Sequence, residues 1–178
     1  MLIIFSGLPG SGKSTIAQAL AKQLNALYLR IDTIEQAIRK ADEDSREMGP
    51  TGYFVAYSLA RENLQLGATV IADSVNPLAL TRDTYREIAL STRTDYLEIE
   101  IVCSDIIEHR KRVETRVSEV EGLTLPDWKQ VTDLVYEPWS REHLVLDSYR
   151  LSSDECVSRI IDVLSQYSTL ENPSNGGS

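Results

Sequence analysis

Cysteine is scarce in this chain, which has only Cys103 and Cys156 among its 178 residues. Two cysteines cannot build a disulfide framework, and their spacing matches no metal-ligand pattern. No segment approaches the roughly 20 consecutive apolar residues that a membrane span requires. The apolar start at residues 2–5 is also too short for the core of a signal peptide. These absences favour a soluble protein in a reducing, cytoplasmic setting.

Positive charge is also in short supply. The 18 Lys and Arg residues stand against 27 Asp and Glu residues, which gives a formal net charge of -9. A surface with this charge repels phosphate backbones and anionic lipids. We therefore expect neither a nucleic-acid partner nor a membrane partner, although a locally basic cleft is compatible with the average. The apolar fraction of 42% is enough for one ordinary core.

Internal repeats, low-complexity blocks and linkers are absent as well, so the sequence predicts one domain over residues 1–168 and a disordered polar tail over 169–178. Short β-branched runs alternate with longer amphipathic stretches. This alternation predicts an α/β fold with a parallel sheet between helices, and such sheets bind ligands beyond the carboxyl ends of their strands. The predicted strands are 2–6, 26–31, 69–74, 96–103 and 143–147, and the predicted helices are 13–24, 33–40, 53–66, 78–91, 105–120, 127–136 and 154–167.

A phosphate-binding motif directly follows the first predicted strand. Glycines in this motif let the backbone bend tightly around an anion, and the lysine and serine reach the phosphates and Mg²⁺. A chance glycine-rich turn is disfavoured because the lysine, the serine and both flanking elements are in register. Such a cradle indicates a nucleotide without naming a reaction. The complete G-x-x-x-x-G-K-[ST] loop consists of Gly7, Leu8, Pro9, Gly10, Ser11, Gly12, Lys13, Ser14 and Thr15.

The second predicted strand ends in a carboxylate, Asp32, preceded by Arg30. In a parallel sheet this end is expected beside the phosphate loop, where a carboxylate can accept the proton of an attacking hydroxyl. Asp32 could instead cap the next helix or hold Mg²⁺ through water. Arg30 is a candidate contact to the phosphoryl acceptor, or a strand arginine that faces the surface.

Residues 5–15, Asp32 and the segment VIADSVNP at 70–77 together resemble the small P-loop kinase superfamily. The resemblance is to the branch with adenylylsulfate kinase, gluconate kinase, chloramphenicol phosphotransferase and phage-type polynucleotide kinase domains. It extends over about residues 1–167, and the P-loop is its most specific part. The resemblance implies the P-loop NTPase fold, with a five-stranded parallel sheet in the order 2-3-1-4-5. It also implies Asp32 as general base and a lid helix whose arginines contact phosphates.

The third predicted strand brings further polar residues to the same edge. Asp73 is a candidate to hold a magnesium-bound water, and Asn76 offers a donor and an acceptor to a substrate hydroxyl. Alternatively, the two residues form a capped turn into Pro77 and the next helix. Arg82 could point back toward an anionic substrate, or it could be a solvated helix residue.

Arginines of the helix after the fourth strand are candidates for the lid. Helical spacing places Arg112 and Arg116 on one stripe with Asp105, as expected for side chains that stabilise a transferred phosphoryl group. The alternative is that these arginines lie on a solvent-exposed face of the helix, because glutamates lie four residues from Arg110 and Arg112 and could pair with them. The resemblance does not decide between the arginines, since Arg110 fits the family position counted from Asp105. His109 is interpreted as structural.

Three weaker signals concern the rest of the cleft. Tyr136 and Trp139 are aromatic surfaces on which a ring could stack. The resemblance places residues 148–150 beside the adenine ring. The acidic run at 41–47 follows the second helix on the acceptor side, where it would favour a neutral or cationic substrate, although charge runs are usually solvated loops.

Taken together, these residues predict an ATP-dependent and Mg²⁺-dependent phosphotransferase that acts on a hydroxyl of a small molecule. A 5′-hydroxyl polynucleotide kinase shares the same motifs, but the net charge argues against it. A nucleotide-binding ATPase or switch without an acceptor is the alternative from another class. A GTPase is disfavoured because the chain has no N-K-x-D segment. The sequence names neither the acceptor nor the oligomeric state.

Overall fold

The computed structural model describes residues 1–41 and 49–170. The acidic residues 42–47 and the end of the predicted tail, 171–178, lie outside the described residues. The strands are β1 (Leu2–Ser6), β2 (Leu27–Arg30), β3 (Val70–Asp73), β4 (Tyr96–Val102) and β5 (Leu144–Asp147). The helices are α1 (Lys13–Leu24), α2 (Ile31–Ala41), α3 (Thr51–Gln65), α4 (Ala79–Ser91), α5 (Ile106–Thr115), α6 (Trp128–Asp133) and α7 (Ser153–Leu170). None of the helices within these ranges has the length and apolar character to cross a membrane.

The five strands form one parallel sheet in the order β2-β3-β1-β4-β5, which confirms the predicted fold and strand order. Strand β1 lies at the centre, where Leu2 pairs with Val70 of β3 and with Tyr96 of β4. All five residues of β1 are buried. A strand covered on both faces needs a continuous apolar run, which the sequence supplies here.

Helices cover both faces of the sheet and create two cores. Ile3 and Phe5 point into the layer that contains α1 and α7, whereas Leu2 and Ile4 point into the layer that contains α3 and α4. Successive strand side chains alternate between the two faces, so both layers draw on β1. Each fully buried Ile or Leu contributes about 1.5–3 kcal/mol. This two-sided burial fixes β1, and with it the loop that follows Ser6.

The segment after β4 differs from its prediction. Helix α5 ends at Thr115 rather than at residue 120, and Arg116 already has extended backbone with φ -65° and ψ 146°. Beyond it, the Ser118 hydroxyl accepts a hydrogen bond from the Val120 amide and donates one to the Val120 carbonyl. Such local bonds compete with a helix. Residues 116–126 therefore form a loop across the cleft, and we call them the lid loop.

Most other boundaries differ from the prediction by one to three residues, and two of these differences concern the cleft. Helix α2 begins at Ile31, so Asp32 lies in its first turn and not before it. Helix α6 ends at Asp133, three residues earlier than predicted, and the chain then leads to β5 through residues 134–143. A carboxylate in the first turn of a helix is stabilised by the positive end of the helix dipole. Asp32 thus lies at the positive end of the α2 dipole, at the edge of the sheet.

Candidate active site

The P-loop connects β1 to α1 in a shape that requires glycine at two positions. Gly7 has φ +135°, and an added Cβ would lie 2.3 Å from the Ile101 carbonyl oxygen. Gly10 has φ +83°, and an added Cβ would lie 2.5 Å from Cγ2 of Val113. Side chains are strained at such φ values and have no space here. The loop therefore lies tightly between β4 and α5 and leads directly into Lys13, the first residue of α1.

Lys13 is a buried cation whose surroundings favour an anionic ligand. Its side chain lines the cavity, and the residue is only 8% exposed. Burial lowers the pKa of Lys13, and the charges of Arg116 and Arg30 lower it further, while Asp73 and Asp32 raise it. Because the pKa of Lys13 is lowered overall, the nearby carboxylates do not fully offset the cost of burying its positive charge. A phosphate group bound in the P-loop would supply the missing negative charge.

The cavity beside the P-loop has a volume of about 640 Å³ and extends along the carboxyl edge of the sheet. Residues of the lid loop, of α2 and of α3 contribute to its lining. Its volume lies in the range of pockets that hold a small-molecule ligand. Its charged lining consists of Lys13, Arg30, Asp32, Glu35, Arg39, Arg112, Arg116 and Glu119.

Asp32 and Arg30 both line this cavity, as the sequence predicted for neighbouring strand ends. Oδ2 of Asp32 lies 3.6 Å from Nε of Arg30, and Nη1 of Arg30 lies 3.0 Å from Oε2 of Glu119 in the lid loop. Burial opposes the charge of Arg30, but Asp73 and the other acidic neighbours prevail and raise its pKa. Arg30 therefore holds the lid loop to the strand edge, and it leaves much of the Asp32 carboxylate accessible from the cavity.

Asp73 is buried beside this edge with one carboxylate oxygen occupied. The Tyr28 hydroxyl donates a 2.5 Å hydrogen bond to Oδ2, whereas Oδ1 has no hydrogen-bond partner in the described part of the chain. Burial, together with the Asp73 charge, raises the pKa of Tyr28, so the phenol remains a donor. A buried carboxylate oxygen and the cavity-lining Ser14 hydroxyl are hard oxygen groups of the kind that Mg²⁺ prefers.

The described residues contain no cluster of three His, Cys, Asp or Glu side chains that could cage a metal on its own. A Mg²⁺ ion at the P-loop would therefore depend on nucleotide phosphates, as is usual for this ion. Ser14 lines the cavity and fits that arrangement, whereas Asp73 is buried and is not among the described residues that line the cavity.

The arginines after β4 separate into two faces. Arg112 lines the cavity, donates to Glu108 at 2.9 Å, and donates from Nη1 to the Ser148 hydroxyl at 2.9 Å. Arg116 also lines the cavity, and burial lowers its pKa while Asp32 raises it. Arg110 instead lies on the solvent side, 60% exposed and 2.7 Å from Glu114. Arg110 therefore lies outside the cavity, contrary to its predicted place at the nucleotide, whereas Arg112 and Arg116 line it.

Ser148, for which the resemblance implies an adenine contact, also joins three elements of the cleft. Its hydroxyl donates to the Ser11 carbonyl at 2.7 Å while it accepts from Arg112. The P-loop, β5 and α5 are thus joined through one serine. His109 adds a second tie, because its Nε2 lies 2.9 Å from the Pro9 carbonyl oxygen, which agrees with its structural interpretation.

Asn76 and Arg82 do not line the cavity that the described residues form. Asn76 is fully buried, and its Nδ2 donates to the Phe5 carbonyl at 2.9 Å, which ties β3 to β1. Arg82 is 1% exposed, donates from Nη2 to the Glu137 carbonyl at 2.9 Å, and lies 4.4 Å from the centroid of the Trp139 ring. Neither a substrate contact nor a solvated helix position describes Arg82. Arg82 instead supports the chain after α6, and the Trp139 ring packs against the Arg82 guanidinium group.

Several cavity residues were not singled out from the sequence, among them Glu35, Arg39, Tyr53 and Glu119. Glu35 was recoverable, because it follows Asp32 by three residues on α2 and therefore shares its face. Glu119 was not, because its position depends on where α5 ends.

Comparisons with known proteins agree with this geometry. The AAA domain family model matches residues 2–135, which is more than half of the chain. An adenylyl-sulfate kinase from Bacillus velezensis is 29% identical over 171 residues, covering 90% of this chain and 83% of the relative.

Two solved structures share the fold. The Mycobacterium tuberculosis APS kinase, in complex with AMPPNP and APS, gives a TM-score of 0.69 at 20% identity and covers 92% of this chain and 96% of that chain. A gluconokinase from Sinorhizobium meliloti gives a TM-score of 0.59 at 18% identity, and the match covers 93% of this chain and 96% of the gluconokinase chain. At these identities the two structures support the fold, and the family match over residues 2–135 supports membership. The chain therefore belongs to the AAA domain family, as one of its small P-loop kinases.

Proposed function

We propose that this protein transfers the γ-phosphoryl group of ATP, with Mg²⁺, to a hydroxyl group of a small-molecule acceptor. One observation carries the proposal: the under-compensated Lys13 of the P-loop and the accessible carboxylate of Asp32 line the same cavity. The phosphate cradle accounts for the donor. A carboxylate across from it accounts for activation of an acceptor, which nucleotide binding alone does not require.

The roles of the residues follow from their positions. The acceptor oxygen forms a bond to the γ-phosphorus, the bond from that phosphorus to the β–γ bridging oxygen breaks, and ADP leaves. Asp32 receives the hydroxyl proton. Lys13, Arg112 and Arg116 offset the charge that develops on the phosphoryl oxygens and the leaving group. Mg²⁺, when bound, contributes further charge neutralisation at the phosphates.

Water exclusion is assigned to the lid loop. Glu119 contacts Arg30 from β2 and Gln18 from α1, each at 3.0 Å, so the loop spans the cleft. A closed cleft strengthens the electrostatic interactions inside and protects the phosphoryl group from water. This arrangement suits a transferase, whose rival reaction is hydrolysis.

Purified protein, γ-labelled ATP and a panel of hydroxylated metabolites and antibiotics test the proposal. We expect little inorganic phosphate without an acceptor and label on at least one acceptor. Rapid hydrolysis that no acceptor alters would support an ATPase instead. Label on 5′-hydroxyl oligonucleotides, falling steeply with salt, would support a polynucleotide kinase. Lys13→Ala is the control for dependence on the P-loop.

A further inference from the structure

The charges on the β2–α2 side of the cavity balance one another. Each carboxylate there has an arginine within 4.0 Å, and the charge of Arg116 interacts with Asp32 and Arg30 as well. The other two cations of the lining, Lys13 and Arg112, lie at the P-loop, where a triphosphate would bind. This side therefore has no net charge with which to attract an anionic or a cationic acceptor. Its charged residues are Arg30, Arg39, Arg116, Asp32, Glu35 and Glu119.

Apolar side chains supply much of the remaining lining. We call four of these residues the apolar wall: Val75 and Pro77 follow β3, Tyr53 lies near the start of α3, and Leu134 follows α6. Apolar surface thus reaches the cavity from several elements of the fold. The lid loop adds Val117, Leu123 and Leu125.

Backbone hydrogen bonds hold the apolar wall together. The Asn76 amide donates to the Tyr53 hydroxyl at 3.3 Å, which fixes the ring beside the segment after β3. The Glu137 amide donates to the Pro77 carbonyl at 2.8 Å, and Glu137 follows Leu134 by only three residues. The three parts of the wall, which are distant in sequence, are therefore joined at the end of β3.

The apolar wall lies between the two groups that phosphotransfer must bring together. Strand β3 pairs with β2 on one side and with β1 on the other. Asp32 follows β2, and the P-loop follows β1, where the Gly7 amide donates to the Val75 carbonyl at 3.1 Å. An acceptor whose hydroxyl lies between Asp32 and the γ-phosphate therefore extends over the segment after β3.

The surface of the wall rewards an apolar ligand. Leu134 is the most exposed of its four residues, at 37%, although it lines the cavity. Covering apolar surface is favourable roughly in proportion to the area removed from water. A polyol would instead place hydroxyl groups against carbon atoms, at the cost of their hydrogen bonds to water.

We propose that the acceptor is an uncharged hydroxyl compound with an apolar body, either an alkyl chain or an aromatic ring, and that the apolar wall binds this body, with Leu134 as the specificity-determining residue. The inference rests on the proposed phosphotransfer. Asp32 receives the hydroxyl proton, while the wall binds the part of the acceptor that does not react. Compounds with many hydroxyl groups or with a charge should be poorer acceptors.

The test compares acceptors that differ in apolar area. The straight-chain primary alcohols from ethanol to hexanol, together with benzyl alcohol, are measured against glycerol, xylitol, gluconate and adenylyl sulfate. Initial rates are recorded with γ-labelled ATP. We expect kcat/KM to rise about 3- to 5-fold for each methylene group added between ethanol and hexanol. The four polar compounds should have a lower kcat/KM than hexanol.

Two neighbouring residues give a matched pair of variants. Leu134→Asn replaces an apolar side chain of the wall by a polar one of similar size, and it should raise the KM for hexanol about 10-fold with little change in kcat. Leu134→Met, which restores apolar volume, should rescue this KM. Val135 is 70% exposed and is not among the described residues that line the cavity, so Val135→Asn should leave the KM within about two-fold.

Calorimetric binding of hexanol beside a non-hydrolysable ATP analogue gives a readout that is independent of turnover. The dissociation constant of hexanol should rise in Leu134→Asn by the same factor as its KM, and it should stay near the wild-type value in Val135→Asn. Equal effects in the two asparagine variants would contradict a role of the wall.

A higher kcat/KM for any of the four polar compounds than for hexanol, or an unchanged KM in Leu134→Asn, would overturn the inference while leaving phosphotransfer intact. If none of the hydroxyl compounds were labelled, the proposed phosphotransfer would fail first, and the inference would fail with it. The two failures are thus distinguishable by where the label appears.

Discussion

Arg110 and Arg112 offer a matched test of which face of α5 serves the reaction. Both are arginines of one helix, and both form an i,i+4 ion pair with a glutamate, at 2.7 Å and 2.9 Å. Only Arg112 lines the cavity beside the P-loop. Arg112→Ala should therefore lower kcat/KM about 10²- to 10³-fold, the typical cost of losing one group that stabilises transition-state charge. Arg110→Ala should stay within about two-fold of wild type.

The stability of the two variants should differ as well. Arg112→Ala loses its ion pair and two hydrogen bonds to Ser148, at 2.9 Å and 3.3 Å, which together contribute about 2 kcal/mol. Arg110→Ala loses one exposed ion pair, worth about 0.5 kcal/mol or less.

Steady-state kinetics and urea unfolding measure both effects, and a kinetic assay at saturating ATP separates transition-state stabilisation from nucleotide binding. Equal losses of activity in the two variants would refute the assignment, as would an active Arg112→Ala enzyme.

Three further outcomes follow from the structure. Lys13→Met should abolish ATP binding. It should also raise the unfolding free energy of the nucleotide-free protein by about 1 kcal/mol, because burial disfavours the charged ammonium and lowers its pKa. A variant that unfolds at a lower urea concentration than wild type would contradict this. Gly10→Ala should weaken ATP affinity and stability, whereas Gly67→Ala, with the same φ of +83° and open space, should lose only about 1 kcal/mol of stability in the same unfolding assay. Burial beside Asp73 raises the pKa of Tyr28, so its contribution to stability is complete below about pH 10 and is lost at higher pH as the unfolded phenol ionises. Urea midpoints between pH 8 and 11 should fall for wild type and fall less for Tyr28→Phe.

The sheet and the P-loop were predictable from the sequence because their signals are local. The bounds of β1 and α1 agree with the prediction at both ends. A buried central strand needs an unbroken apolar run, and the motif itself marks the start of α1. The parallel arrangement followed from alternation, and the strand order followed from the family resemblance.

The lid loop and the position of Arg82 were less predictable because they depend on long-range contacts. Glu119 reaches Arg30 and Gln18, which precede it by 89 and 101 residues, and no local pattern signals this crossing. Arg82 shows the same limit, since its burial under Trp139 requires the chain after α6 to fold back over α4. Helical periodicity on α2 alone would, however, have been enough to place Glu35 on the same face as Asp32.

Single-turnover transfer from γ-labelled ATP, compared between wild type and Asp32→Asn, tests the central claim most directly. We predict that wild type places the label on a small-molecule hydroxyl compound. Asp32→Asn should bind ATP with nearly unchanged affinity but transfer the label about 10²- to 10⁴-fold more slowly, as expected on loss of a general base. Unchanged transfer in Asp32→Asn, or label released only as inorganic phosphate at a rate that no hydroxyl compound alters, would contradict the account.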